Sequence, residues 1–132
     1  MGSRSTGRKL AMQLLYQAEL RNKTLEEVTE TIKEDSNYPI PTRKFAITLA
    51  LNTWKVRKKL DQCIDQLAID WDIDRISIVD KNILRLAIYE LQESKTPQNV
   101  ILNEAIELAK QFSSEDASRF INGILGKLIK EN

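Results

Sequence analysis

The sequence predicts an all-α protein: about six or seven helices in a single compact domain, arranged as two packed helical subdomains. Three observations carry this. Apolar residues recur at helical spacing along nearly the whole chain, with no strand alternation, repeat or low-complexity segment. The segment from about Ser77 to Ser94 places Val79, Ile83, Leu84, Leu86, Ala87, Ile88 and Leu91 over an arc of roughly 200°, so it must be covered on more than one side. The segments around it carry start and stop signals and short connections. That helix is the expected central post, with an N-terminal layer over about residues 1–60 and a C-terminal bundle over about 61–132.

The first helix is expected from about Ser5 or Thr6 to Arg21, with Leu10, Ala11, Leu14, Leu15 and Ala18 packed inward. Lys9, Gln13, Tyr16 and Leu20 share another side, where Tyr16 and Leu20 are either an exposed apolar pair or the edge of a wide buried face. Asn22-Lys23-Thr24 breaks the helix, and Thr24 with Glu27 three residues on makes a capping signal for a short helix burying Leu25, Val28 and Ile32. Asp35 to Pro41 reads as a loop. From Thr42 to about Asp70 the spacing predicts one long helix, bent near Lys58 to Asp61. It turns Phe45, Ala46, Leu49, Ala50, Thr53, Val56, Leu60, Cys63, Ile64 and Leu67 inward.

Trp71 to Asp74 reads as a connector, and Asp74 or Ser77 caps the central helix. Thr96 as N-cap and Pro97 in the first turn start the next helix, whose one apolar face is Ile101, Leu102, Ala105, Ile106, Leu108, Ala109 and Phe112. Ser113 followed by Asp116 resembles a capping box for the last helix, whose stripe runs from Ala117 through Ile121 and Leu125 to Ile129.

Composition narrows the function classes. The chain has 132 residues, 30% charged and 42% hydrophobic, enough for one domain with an ordinary core. No apolar run approaches the ~20 residues that span a bilayer, so no membrane is expected. Met1-Gly2-Ser3 is polar, fits a native start or a cloning remnant, and is followed by no signal sequence; a cytoplasmic protein is expected. The single cysteine, Cys63, forms no internal disulfide and reads as a buried thiol.

There is no histidine, which removes histidine-based triads and nearly all zinc sites. Gly2, Gly7, Gly123 and Gly126 make no phosphate loop, and Asp70, Asp72 and Asp74 lack the glycine and closing Glu of a calcium loop. No cofactor, no metal and no enzymatic activity are expected. The net charge of +1 hides blocks: Arg4, Arg8, Lys9, Arg21 and Lys23 near the start, acids over 24–35, six cations and no acid over 43–59, and aspartates over 61–80. Separate basic and acidic surfaces suit a nucleic-acid face and a basic protein partner.

The runs DKNILRLAIYEL, PQNVILNEAIELAK and FINGIL, with the opening GRKLAMQLLYQAEL, closely resemble the NusB family, nearly end to end. The resemblance implies a NusB-like all-helical fold and a transcription antitermination factor. Such a protein binds boxA-like single-stranded RNA together with NusE, a small-subunit ribosomal protein, in the transcription elongation complex and supports ribosomal RNA synthesis. The same fold fronts some ribosomal RNA methyltransferases, but no cofactor-binding domain follows here. Two rivals stay open: a helical protein–protein adaptor, and a detached accessory domain of such a methyltransferase.

Three groups of residues are candidates for recognition. Arg4, Arg8 and Lys9 lie at and before a helix N-terminus, where N–H groups and cations favour phosphate; a frayed, solvated terminus is the plain alternative. The resemblance favours RNA. The segment holds fewer arginines than the family's usual opening, which predicts modest RNA affinity without a partner protein. The turn from Lys110 to Asn122 sets Phe112 and Phe120 beside Lys110 and Arg119, a combination that stacks unpaired bases and holds phosphates unless both rings belong to the core. Gly123 beside it suggests close backbone approach, to another helix or to RNA. By resemblance, Asp80 and Lys81 on the central helix and Tyr16 and Glu19 on the first would receive the NusE-like protein, although Asp80 also suits a plain helix-dipole role. Glu90 falls inside the apolar arc and needs buried donors, with Asn103, Asn122 or an N-terminal arginine as candidates.

Overall fold

The helical spacing becomes helix almost everywhere. The computed structural model describes residues 3–33, 37–69 and 73–131, and among these lie seven α-helices, one 3-10 turn and no strand. They fall into two units, Met1–Lys55 and Val56–Asn132.

The first unit holds α1 (Ser3–Arg21), α2 (Leu25–Lys33) and α3 (Ile40–Lys55), each packed against the other two. α1 begins two residues earlier than its spacing suggests and buries Leu10, Ala11, Leu14, Leu15 and Ala18 as expected. It ends on Asn22 at φ 53, a left-handed turn that asparagine tolerates. The Lys23 N–H reaches back to Ala18 O (3.0 Å) and the Asn22 N–H to Glu19 O (3.4 Å), satisfying the last carbonyls.

The expected cap of α2 forms in both directions: Thr24 Oγ1 accepts from the Glu27 N–H (3.1 Å), and Glu27 Oε1 from the Thr24 N–H (3.3 Å). Leu25, Val28 and Ile32 are buried beneath it. α3 starts two residues before Thr42. The Arg43 N–H donates to Pro39 O (3.0 Å), so Pro41 sits in a first turn that needs no donor from it.

One contact in this unit has no counterpart in the periodicity. A Cβ on Gly7 of α1 would run into the Phe45 ring of α3, so glycine is what lets the ring lie against the first turns of α1.

The single long helix expected over 42–70 is two helices. The break is at Val56 (φ −108, ψ 19), not near Lys58 to Asp61, and α4 follows as Arg57–Leu67. Thr53 and Leu60, the buried residues either side, are seven positions apart, so the apolar stripe runs through the break in phase and periodicity cannot register it. Asp35, Asp70, Trp71 and Asp72 lie outside the described residues, and the proposed connector and calcium-like loop go with them.

The second unit holds α4, a 3-10 turn (Ile73–Arg75), α5 (Ile78–Glu93), α6 (Gln98–Phe112) and α7 (Glu115–Glu131). α5 is its post, with α4, α6 and α7 all packed on it. Every residue from Asn82 to Ile88 is buried, and full burial of Ile83, Leu84, Leu86 and Ile88 is worth about 1.5–3 kcal/mol each. Ser77 is the N-cap, its Oγ accepting from the Asp80 N–H (3.1 Å), and Ser94 closes the helix. Glu90 is 4% exposed, as its angle requires, while Asn103 and Asn122 are exposed.

The other two caps shift by one residue. Pro97, at ψ 141, is itself the N-cap of α6; its ring fixes only φ, which suits this position as well as the first turn. At the next turn Ser113 closes α6 through its N–H to Ala109 O (2.8 Å). Ser114 then caps α7 by accepting from the Ala117 N–H (3.0 Å). Asp116 is thereby one position short of a reciprocal box. Cys63 is half-buried rather than buried; burial pushes its thiol up, and the Glu131 carboxylate adds to the shift.

A buried ionic network was not anticipated. Arg85, 5% exposed at its side chain, grips Asp61 of α4 through Nε to Oδ1 (2.6 Å) and NH2 to Oδ2 (2.7 Å). Its NH1 donates to Asn82 Oδ1 (3.0 Å), and Asn82 Nδ2 donates to Ile78 O (2.9 Å). Both residues lie opposite the apolar arc, where a simple wheel puts solvent. A post covered on all sides buries them and demands this pairing.

Candidate nucleic-acid interface

In the first unit the three N-terminal cations part company. Arg4 is exposed within the first turn of α1, where no acidic side chain competes for an anion. Its guanidinium carbon lies 4.6 Å from the centroid of the Phe45 ring. Lys9 is half-buried. Arg8 departs from the expectation of a surface cation: it is 5% exposed, with its guanidinium 5.5 Å from the same ring. Position 8 follows Gly7 onto the face of α1 that meets α3, which draws the arginine inward. Farther along α1, Tyr16 and Glu19 are half-buried and Leu20 is 55% exposed, so the Tyr16 side is the rim of a buried face with Leu20 outside it.

In the second unit the α6–α7 turn gathers the expected residues. Lys110, Arg119 and Asn122 are exposed, and Phe112 and Phe120 are half-buried, between the core and the solvent-stacking readings. Phe120 forms a wall common to two open grooves. One, of about 270 Å³, is also lined by Arg75, Ile76, Ser77, Asp80 and Asp116. The other, of about 220 Å³, is lined by Leu67, Ile69, Arg119, Gly123 and Lys127, with Lys127 Nζ donating to Leu67 O (3.2 Å). The Arg119 guanidinium pairs with Asp116 one turn away, both side chains well exposed, so the pair is weak.

Gly123 does not serve helix packing. Apart from its chain neighbours and the backbone of its own helix, no atom of the described residues lies within 4 Å of a Cβ built there, and the glycine lines the second groove. Asp80 caps the first groove from the start of α5. Its Oδ1 is shielded from solvent and has no hydrogen-bond donor among the described residues. Lys81 beside it is half-buried. Among the described residues no cluster of His, Cys, Asp and Glu could hold a metal ion, and no helix is long and apolar enough to cross a membrane.

Comparison with known proteins extends over nearly the whole chain. The family model described as the NusB family matches residues 5–130. The transcription antitermination protein NusB of Myxococcus xanthus is 41% identical over 133 residues, covering 97% of this chain and 95% of that protein. Its counterpart in Streptomyces avermitilis is 38% identical, with 97% and 92% covered. Among solved structures, T. maritima NusB superposes with a TM-score of 0.89 at 34% identity, covering 98% of this chain and 92% of that one. A NusB chain in a crystal structure of antitermination factors NusB and NusE with double-stranded RNA gives 0.87 at 26% identity, covering 98% of both chains.

Proposed function

This chain belongs to the NusB family, and on that premise we propose that it is a transcription antitermination factor acting by binding rather than by catalysis. It binds boxA-like single-stranded RNA beside a NusE-like ribosomal protein in the elongation complex and so supports ribosomal RNA transcription. The observation that carries this reading is the end-to-end similarity to a chain solved with both NusE and RNA. That complex holds duplex RNA; the preference for an unpaired strand rests here on Phe120, whose ring fronts two grooves and stacks most readily on a base free of its pair.

Within this reading Arg4 and Lys9 contact phosphate, while Arg8 supports them from inside the unit. Lys110 and Arg119 hold phosphates near the α6–α7 turn, Phe120 and the rim of Phe112 stack bases, and Asn122 reads a base edge or sugar. Tyr16 and Glu19 on α1, and Asp80 and Lys81 on α5, contact the NusE-like protein, with the half-buried Asp80 carboxylate drawing a basic side chain. The decisive experiment measures binding of a boxA-like single strand and of its duplex, with and without the NusE-like protein. The single strand is expected to bind modestly alone and more tightly with the partner. Equal binding of duplex, or no effect of the partner, contradicts the proposal.

A further inference from the structure

Resting on the N-terminal RNA contact just described, we propose that Phe45 is a positioning residue for RNA binding, acting through the guanidinium of Arg4 and not by touching RNA. The arrangement is built from the chain upward. Gly7 leaves no Cβ in the way, so the ring packs directly against the first turns of α1. Arg4 and Arg8, one helical turn apart, then bring their guanidinium groups to 4.6 and 5.5 Å from the ring centroid.

Both distances fall within the ~6 Å over which a cation is attracted to an aromatic face. Arg8 is buried and Arg4 is exposed, so the inner arginine helps fix the ring and the outer one is presented to solvent. Stacking uses the flat face of a guanidinium, whereas its N–H donors point outward in the plane. Arg4 can therefore rest on Phe45 and donate to a phosphate at the same time. An arginine side chain carries about 2 kcal/mol of rotamer entropy. Part of that ordering is complete before RNA arrives, beside first-turn N–H groups that favour the same anion.

The test uses the full chain, a boxA-like single strand and a double-mutant cycle, after melts of each variant. Phe45→Leu keeps an apolar side chain but removes the π face; it is expected to weaken binding roughly two- to fivefold, the scale of an exposed cation–π contact. Phe45→Tyr retains that face and should bind like wild type. In an Arg4→Ala background, Phe45→Leu should cause no further loss. Should Phe45→Leu fold poorly, progressively fluorinated phenylalanines at position 45 preserve the shape and drain the ring's negative face, and affinity should fall in step with fluorination.

An equal loss from Phe45→Leu with and without Arg4, or no response to fluorination, overturns the proposal. If Arg4→Ala weakens binding and Phe45→Leu does not, the positioning role fails while the N-terminal RNA contact stands. If Arg4→Ala itself has no effect, the N-terminal contact fails and this role with it.

Discussion

Two arginines offered to solvent at the candidate interfaces, Arg4 and Arg119, are held in opposite ways. Arg4 lies on an aromatic face, and Arg119 lies against the carboxylate of Asp116. A guanidinium on a ring keeps all its donors, whereas one in an ion pair has committed some of them to the carboxylate, which also repels a phosphate. The aromatic residues divide correspondingly. Phe45 lies beneath two cations, while the half-buried Phe120 stands between two grooves. On the proposed reading the first unit supplies charge, and the second supplies stacking with auxiliary charge.

The contrast breaks first at Arg8, where the largest effect is expected. As a buried cation it belongs to the fold, so Arg8→Ala should cost about 1–3 kcal/mol through lost packing and orphaned partners. Thermal melting should show a drop of several degrees, whereas Arg4→Ala melts like wild type. Equal melting of the two would return Arg8 to the surface. Next comes Phe120→Ala, which should weaken single-strand binding by about 1–3 kcal/mol, the scale of one stacked base, with Phe120→Tyr restoring it. Unchanged affinity would assign the ring to the core alone.

A narrower effect is expected at the protein-partner residues. Asp80→Lys should impair association with the NusE-like protein, since a cation then faces the incoming cation, and Tyr16→Asp should do so by charging a half-buried rim. RNA binding by the isolated chain should persist in both, and titration calorimetry with each ligand separates the outcomes. The smallest effect concerns Cys63. With its thiol half-buried and its pKa raised, little thiolate exists at neutral pH, so maleimide should react more slowly than with an unstructured cysteine peptide. Comparable rates would place the thiol in solvent.

How far these features were legible from sequence depended on their range along the chain. The Thr24–Glu27 cap, the Ser77 cap and the inward Glu90 follow from spacings of a few residues or one helical wheel, and each is present. The break at Val56 preserves the phase of the stripe and left no trace in it. The cap of α7, expected at Ser113, falls on the adjacent Ser114, a one-residue shift that only the backbone decides. Gly7 against Phe45 and Asp61 against Arg85 join different helices, and the burial of Arg8 follows from the first of these contacts. The α6–α7 candidates stood out because aromatic and basic residues share a short turn. The contact of Arg4 with Phe45 was hidden because that ring comes from α3.

The division between a charged and a stacking region is tested most directly by the salt dependence of single-strand RNA binding for wild type, Arg4→Ala and Phe120→Ala. Arg4→Ala should flatten the slope of log K against log salt by about 0.7, the value for one phosphate contact on a single strand. Phe120→Ala should lower affinity at every salt concentration and leave the slope unchanged. A flattened slope for Phe120→Ala, or an unchanged one for Arg4→Ala, would contradict the assignment.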